Sequence, residues 1–173
     1  NADGQLVYKV EPGVLKRLCD DARDSIVPES YGVRNKPRIW KISIDGTGST
    51  ATKTYCLEQG EARIGWGNTG DLQTLDEQEN SYYQKLGTND RSTLNSFSQE
   101  MVVGDLLVCI RSAEQIEAIG VVTGDYRFET SEQIPAPVRE DYCHVRPVKW
   151  LFQNVGLSIL PLNDNTRFTL KTV

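Results

Sequence analysis

The sequence predicts an α+β domain, a curved mixed β-barrel with about three flanking helices. Short apolar segments bounded by Gly and Pro turn signals predict several strands, and a few segments with helical spacing lie between them. The strands do not alternate regularly with helices, which disfavours a parallel doubly wound sheet. With 173 residues, 38% hydrophobic and 25% charged, the chain is predicted to be one soluble domain, or one domain with arms.

The elements of the first half follow from local signals. Pro12 opens a helical pattern with an apolar stripe through Leu15 and Leu18, and residues 39–44 alternate loosely between apolar and polar. In order, the predicted elements are an arm over 3–11, a helix from Pro12, a linker over 28–37, a strand over 38–44, a loop over 45–50 and a strand over 62–66.

The second half is predicted in the same way. Ser92 is a potential helix cap, and the apolar segment 106–110 follows a Gly-Asp turn. In order, the predicted elements are a short helix within 74–86 ended by Gly87, a helix from Ser92 to Met101, a hairpin of strands 106–110 and 116–123, a loop holding Pro135 and Pro137, a long strand over 142–151, and strands near 157–160 and 167–171.

The charge balance argues against a protein that coats nucleic acid by bulk electrostatics. The net charge is −5 and the pI is near 5.0. A local basic face stays possible, because a site that reads one base needs only a few phosphate contacts. The densest basic stretch contains Arg34, Lys36, Arg38 and Lys41, although most such clusters are solvated faces.

The cysteines and the single histidine give no sign of a metal or cofactor. Cys19, Cys56, Cys109 and Cys143 are widely spaced without a Cys-x-x-Cys pair, which is typical of reduced structural cysteines in a cytosolic protein. A zinc site would need more ligands than His144 adds. We therefore predict neither a metal centre nor a bound cofactor.

Motifs for common chemistries are also missing. Residues 46–54 resemble a phosphate loop superficially, but both required glycines fall at the wrong spacing, so a turn is predicted there. Gly-x-Ser-x-Gly is absent, and a catalytic His would have to be His144. No apolar run approaches the roughly 20 residues that cross a bilayer.

The most informative segment is the run from Ile64 to Leu72, in which Trp66 stands between Gly65 and Gly67. Flanking glycines leave an indole poorly walled in and allow positive φ and close backbone approach. An indole at a rim would suit a flat, hydrogen-bonding ligand such as a nucleobase. The alternative interpretation is a core Trp beside a tight turn.

The chain resembles the EVE-type domains of the PUA superfamily, especially those at the N-terminus of McrB-like restriction proteins. YTH domains, which read methylated adenine in RNA, are more distant relatives. The resemblance covers about residues 37–152, with the other residues predicted as an N-terminal arm, helix and linker over 1–36 and C-terminal strands over 153–173. It rests on five motifs in order, Ile39-Trp40-Lys41-Ile42-Ser43, Ile64-Gly65-Trp66-Gly67 with Gly70-Asp71-Leu72, Gly104-Asp105-Leu106-Leu107-Val108, Ile119 to Tyr126 and Tyr142 to Trp150.

The resemblance implies a barrel that binds a base flipped out of duplex DNA in an aromatic pocket. Trp66 matches the cage Trp of the family, Asp45 and Ser43 fall where relatives bond the base edge, and Tyr126 lies where a further wall could come from. The other candidates are, for the pocket, Asn68, Asp71 and Trp40, and for phosphate contacts, Lys41, Lys53, Arg63, Arg91 and Arg127. Trp40 and Trp150 are more often core residues, and His144 and Arg146 are expected to be structural.

The predicted function is a non-catalytic, cytoplasmic module that reads a modified base, methylated or hydroxymethylated cytosine or methylated adenine. The implied partners are double-stranded DNA with that base and, through a downstream NTPase domain, a McrC-like nuclease. No membrane partner is expected. Two alternatives stay open: an RNA reader of the PUA type and a small hydrolase or transferase acting on nucleotides.

Overall fold

The computed structural model describes residues 37–46 and 48–158, so the predicted arm, first helix, linker and last strand lie outside the described residues. Six strands form one mixed sheet: β1 (Ile39–Ile42), β2 (Glu61–Ile64), β3 (Leu106–Ser112), β4 (Gln115–Val122), β5 (Arg127–Phe128) and β6 (His144–Ser158). The described helices are α1 (Ala51–Gln59), α2 (Ser81–Lys85) and α3 (Thr88–Asn95), with a 3-10 turn at Gly67–Thr69 and a π-helical turn at Ser96–Glu100.

The strand order is β1-β3-β4-β6-β2, with β5 also paired to β6. β1 and β3 are parallel, and every other pair is antiparallel. β6 joins the two parts of the sheet, because its first residues pair with β2 and β5 and the segment after them pairs with β4. The sheet is curled into a half-barrel and is accompanied by three described helices, which confirms the predicted α+β class.

The main core lies between one face of the sheet and the helices. Alternation along β1 turns Trp40 and Ile42 into this core, where Leu57 of α1 and Leu94 of α3 meet them. A second cluster, Leu106, Val108, Ile116, Ile119 and Val121, occupies the opposite face of β3 and β4. Three described cysteines are buried and free, as predicted for reduced structural thiols.

Helix α1 was not predicted. Its residues include three Thr or Tyr side chains with modest helix propensity and show no clear apolar stripe. Its ends are nevertheless well defined: the Thr50 hydroxyl accepts from the Lys53 N–H at 3.2 Å, and Gly60 ends the helix at φ 71°. The segment predicted as a turn is therefore a cap followed by a helix.

Other boundaries also differ from the prediction. The second strand ends at Ile64, so Trp66 follows it instead of closing it, and α3 begins at Thr88 with Ser92 in its interior. The two-residue β5 was missed, and α2 is only five residues long. β6 continues through the predicted boundary at 152 to Ser158, so no separate strand begins at 157.

Candidate functional site

A polar cleft of about 450 Å³ opens between the loop after β2 and the two ends of the loop that joins β5 to β6. A volume of this size lies in the range of small-molecule sites. Its lining residues are Gly67, Asn68, Phe128, Thr130, Ser131, Glu140, Asp141 and Cys143.

The loop after β2 is fixed against the segment before β6. The Gly67 N–H donates to the Asp141 carbonyl at 3.0 Å. A Cβ on Gly67 would overlap the Cys143 sulfur, and one on Gly65 would lie 3.2 Å from an Asp141 oxygen. Gly67 is thus needed for close approach, as the sequence suggested, and Gly65 leaves room for the Asp141 side chain, whereas the left-handed residue is Trp66 itself, at φ 64°.

Trp66 stands half-buried at the edge of the core. Its ring packs partly against the main core, and its backbone lies in a conformation that costs a non-glycine residue about 1–2 kcal/mol. Its carbonyl accepts from the Thr69 N–H and the Thr69 hydroxyl, both at 2.9 Å. The strained residue is therefore held by its own loop.

His144 lies beneath that loop. It is fully buried, with Nδ1 2.8 Å from the Tyr126 hydroxyl and Nε2 3.3 Å from the Trp66 carbonyl. Nε2 also lies 3.2 Å from the Thr69 hydroxyl, which itself donates to the Trp66 carbonyl. With the hydrogen on Nε2, this nitrogen donates to that carbonyl or hydroxyl, and Nδ1 accepts from Tyr126. Burial lowers the pKa of His144 to about 4, so the ring is neutral near pH 7. The structural role expected for His144 is confirmed.

Asp45 connects the loop after β1 to the segment before β6. It is also left-handed, at φ 52°, and its carboxylate accepts from Arg139 at 2.9 Å. Arg139 lies within 3.3 Å of the Asp141 carboxylate and 5.3 Å from the centre of the Tyr142 ring. Ser43 instead donates to the Gly46 carbonyl within its own loop at 3.0 Å.

The cleft is acidic. Glu140 and Asp141 contribute two carboxylates, and its eight lining residues include neither Lys nor Arg. The Cys143 thiol donates to the Glu140 carbonyl at 3.4 Å, and burial raises its pKa, so it is not a thiolate at neutral pH. This lining suits a ligand group that donates hydrogen bonds and disfavours a phosphate.

Two predicted pocket residues are corrected to core residues. Tyr126 is only 5% exposed, and its hydroxyl is occupied by His144 and by the Leu72 N–H at 3.2 Å. Trp40 is 8% exposed, and its indole N–H donates to Asp105 at 2.8 Å. Neither ring is free to stack on a base. Arg146, expected to be structural, is buried and donates to backbone carbonyls at Phe97, Ser98 and Gly124.

Asn68 lines the cleft, and Asp71 does not. The Asp71 carboxylate caps its own turn by accepting from the Gln73 N–H at 3.0 Å. Of the predicted pocket residues, the structure thus brings Asn68 to the cleft, whereas Trp66, Asp45 and Ser43 are not among its lining residues. Trp66 adjoins the cleft through the next residue, Gly67, and Asp45 binds Arg139 in the segment before β6.

Two predicted phosphate contacts are buried and are corrected as well. Lys53 is 1% exposed because its ammonium donates to the carbonyls of Gly46, Gly48 and Ile110. Arg63 is also 1% exposed and lies in an ion-pair network. Buried cations already bonded to the protein do not reach a phosphate.

The other predicted phosphate contacts lie nearer the surface and stay predictions. Lys41 is partly buried, which lowers its pKa. The Arg91 side chain donates to the Gln84 and Leu86 carbonyls, and Arg127 is bonded to two glutamates.

The second side of the cleft was not predicted from the sequence. Arg139, Glu140 and Asp141 belong to a loop that showed no periodic pattern, and the contacts of Asp141 with Gly67 and of Arg139 with Asp45 are long-range. The only usable signal was the run of charged residues just before a predicted strand.

Among residues 37–46 and 48–158, no cluster of metal-ligating side chains is found. None of the helices in these ranges is long and apolar enough to span a bilayer.

Fold and site together define an α+β half-barrel domain with an acidic cleft beside a left-handed tryptophan. The sequence model of a family described as a domain of unknown function (DUF8426) matches residues 40–173, and the chain belongs to that family. No curated protein matches the chain.

Several solved structures are similar to this chain. Two crystal structures of the Mmi1 YTH domain match at 8% identity, with TM-scores of 0.37 and 0.39, over 67% and 73% of this chain and 65% and 68% of those chains. The YTH domain of the Zygosaccharomyces rouxii MRB1 protein, in complex with N6-methyladenosine RNA, matches at 12% identity and TM-score 0.39, over 73% of this chain and 66% of that one. The chain therefore spans about two thirds of the length of these domains, and at such scores nothing about its ligand follows from the likeness.

Proposed function

We propose that this chain is a non-catalytic recognition module that binds one modified base, flipped out of double-stranded DNA, in the cleft beside Trp66. The base-binding domain spans about 37–152, and the preferred base is a methylated or hydroxymethylated cytosine or a methylated adenine. The module supplies the specificity of a McrBC-like restriction system in the cytoplasm, acting through a downstream NTPase domain on a McrC-like nuclease.

One observation carries the base-reading part of the proposal. Trp66 and Asp45 are two of only three non-glycine residues with positive φ in 37–46 and 48–158, and both adjoin the Asp141 segment. Backbone strain of this kind concentrates at ligand sites, where the surrounding structure holds it in place. Both residues were also assigned to the pocket by the resemblance to EVE-type domains.

The chemistry of the cleft fits a base edge. Extruding a base from duplex DNA costs a few kcal/mol, which stacking on one aromatic ring offsets by roughly 1–3 kcal/mol. Carboxylates such as Asp141 accept hydrogen bonds from the exocyclic amino groups of adenine and cytosine. Thr130 and Ser131 offer hydroxyls that both donate and accept.

The state of the reactive groups supports a non-catalytic role. His144, the single His of the chain, is buried and neutral with both nitrogens occupied, so it is not available as a general base. The Cys143 thiol is held in its protonated form by burial. Neither group provides an activated nucleophile at the cleft.

The proposal is tested by fluorescence anisotropy at fixed salt. The probes are short DNA duplexes carrying one cytosine, 5-methylcytosine, 5-hydroxymethylcytosine, adenine or N6-methyladenine, with matched RNA strands. A preference of tenfold or more for one modified duplex, about 1.4 kcal/mol, is expected. Equal, weak and salt-sensitive binding to all probes would contradict base reading. Preference for a modified RNA would assign the cleft to RNA, and turnover of any probe would contradict the non-catalytic role.

A further inference from the structure

We propose that Arg63 is a positioning residue that reinforces the contact between the two walls of the cleft, and thereby supports its selectivity for a modified base. This role replaces the phosphate contact predicted from the sequence. The inference rests on the proposed function, because selectivity has meaning only if the cleft binds a base.

Arg63 belongs to a closed ring of four charged side chains. Its Nε donates to Glu61 at 2.5 Å and one terminal nitrogen donates to Glu129 at 2.6 Å. Arg127 donates to the remaining oxygens of the same two carboxylates, at 2.9 Å to Glu61 and 3.0 Å to Glu129. The ring contains two positive and two negative charges, so it adds no net charge beside the cleft.

The two walls meet directly where the Glu129 N–H donates to the Cys143 carbonyl at 2.9 Å, and the ring adds side-chain bonds to both of them. Glu129 lies between Phe128 and Thr130 on one wall. On the other wall, the second terminal nitrogen of Arg63 donates at 3.1 Å to the carbonyl of Tyr142, between Asp141 and Cys143. Arg63 is the member of the ring that binds side chain on one wall and backbone on the other.

Arg63 and Arg127 differ in burial and in reach. The Arg63 side chain is 2% exposed, whereas that of Arg127 is 43% exposed and has no bond to Tyr142 among the described contacts. Burial pulls the pKa of Arg63 down, but its hydrogen bonds to Glu61 and Glu129 outweigh that effect and raise it. Arg63 is therefore a fixed charge with two nitrogens bonded to the walls and the third bonded to Glu61 on its own strand.

A planar guanidinium is required for this geometry. A lysine keeps the charge but offers a single nitrogen, which cannot span Glu61, Glu129 and the Tyr142 carbonyl together in the arginine geometry. A binding site discriminates well only when its contacts are held within about 0.5 Å, because the ligands differ by one methyl group. Loosening the walls is expected to reduce selectivity more than overall binding.

The test compares Arg63→Lys with Arg127→Lys, the same substitution at the other arginine that binds Glu61 and Glu129. Anisotropy gives the affinity ratio between the best modified duplex and its unmodified match. Hydrogen exchange of residues 128–143 is measured without DNA. Arg63→Lys is expected to lower the ratio at least tenfold and to speed exchange. Arg127→Lys is expected to keep the ratio within threefold, because the phosphate contact predicted for Arg127 acts equally on the modified and the unmodified duplex.

A folded Arg63→Lys protein with the wild-type affinity ratio and slow hydrogen exchange of residues 128–143 would overturn the proposal. An equal fall of the affinity ratio in Arg63→Lys and Arg127→Lys would also overturn it. If Arg63→Lys does not fold, Glu129→Gln releases the same wall and is expected to lower the ratio at least threefold; an unchanged ratio would overturn the proposal. A wild-type protein without selectivity would contradict the proposed function. Exchange faster in Arg63→Lys than in Arg127→Lys would then still assign Arg63 to wall positioning.

Discussion

At the scale of single residues, the space around Gly67 decides how closely the loop after β2 approaches the segment before β6. The missing Cβ would overlap the Cys143 sulfur and lie 3.1 Å from the Asp141 carbonyl oxygen. Neither neighbour moves freely, because Cys143 is buried and the carbonyl accepts from the Gly67 N–H.

We predict that Gly67→Ala lowers the free energy of unfolding by about 1–3 kcal/mol, the usual cost of overpacking. The control is Gly87→Ala, where φ is −67° and the nearest atom to a new Cβ is 3.8 Å away, so no overpacking is expected and only the N-cap preference for glycine over alanine is lost. Urea unfolding followed by circular dichroism measures both variants. Equal stabilities would show that the contact is not tight.

His144 makes stability depend on pH. Its pKa is about 4 in the folded protein and about 6.5 in a model peptide, so the unfolded chain binds the extra proton between these values. His144 therefore does not reduce the free energy of unfolding above about pH 6.5. As the pH falls toward 4, it lowers the free energy of unfolding by roughly 3 kcal/mol in total.

We predict that His144→Gln flattens this part of the stability profile. Urea unfolding at steps from pH 7 to pH 4 measures it, with the wild type as reference, since the carboxylates titrate in both proteins. A wild-type slope that survives unchanged in the variant would mean that His144 does not carry the effect.

At the scale of elements, α1 shows how a cap compensates for weak propensity. Its sequence contains few strong helix formers, and Thr50 supplies the acceptor that the first turn needs. The buried Lys53 then binds the preceding loop by donating to its carbonyls at Gly46 and Gly48. The loop that carries Asp45 is thereby tied to the start of α1.

We predict that Thr50→Ala destabilises the protein by about 1 kcal/mol, as is typical for a lost N-cap. Ser49→Ala is the control, because that neighbouring side chain is exposed and makes no described cap bond. Thermal unfolding of the two variants gives the difference. A loss of stability no larger than that of Ser49→Ala would show that the Thr50 cap does not stabilise α1.

At the scale of the whole molecule, the sequence allowed the sheet to be predicted better than the site. Alternation and turn residues located β1, β3, β4 and β6, because each of these signals is local. The two-residue β5 and helix α1 were missed, since one is too short for a pattern and the other lacks an apolar stripe.

The site depends on contacts between distant segments. Trp66 and Asp45 were assigned to the pocket from their motifs and stay predictions, and no local pattern indicates that Arg139 lies on Asp45 or that Asp141 lies against Gly67. Burial of Arg63, Lys53 and Tyr126 likewise arises from tertiary packing. Charged and aromatic side chains that seemed available for a ligand are used to hold the fold.

The most direct test of the central claim is the affinity of Trp66→Ala for the modified duplex that the wild type prefers. Alanine has the same left-handed strain at this position, so the change removes the indole and keeps the backbone conformation. The control is Tyr82→Ala, which removes an exposed aromatic ring. Neither Trp66 nor Tyr82 is among the lining residues, but Trp66 adjoins the lining residue Gly67 in the chain and Tyr82 adjoins none.

We predict a loss of tenfold or more for Trp66→Ala, in line with about 1–3 kcal/mol per stacked base. The Tyr82 variant is expected to bind within twofold of the wild type, with both variants folded by circular dichroism. Wild-type affinity in a folded Trp66→Ala protein would contradict the account.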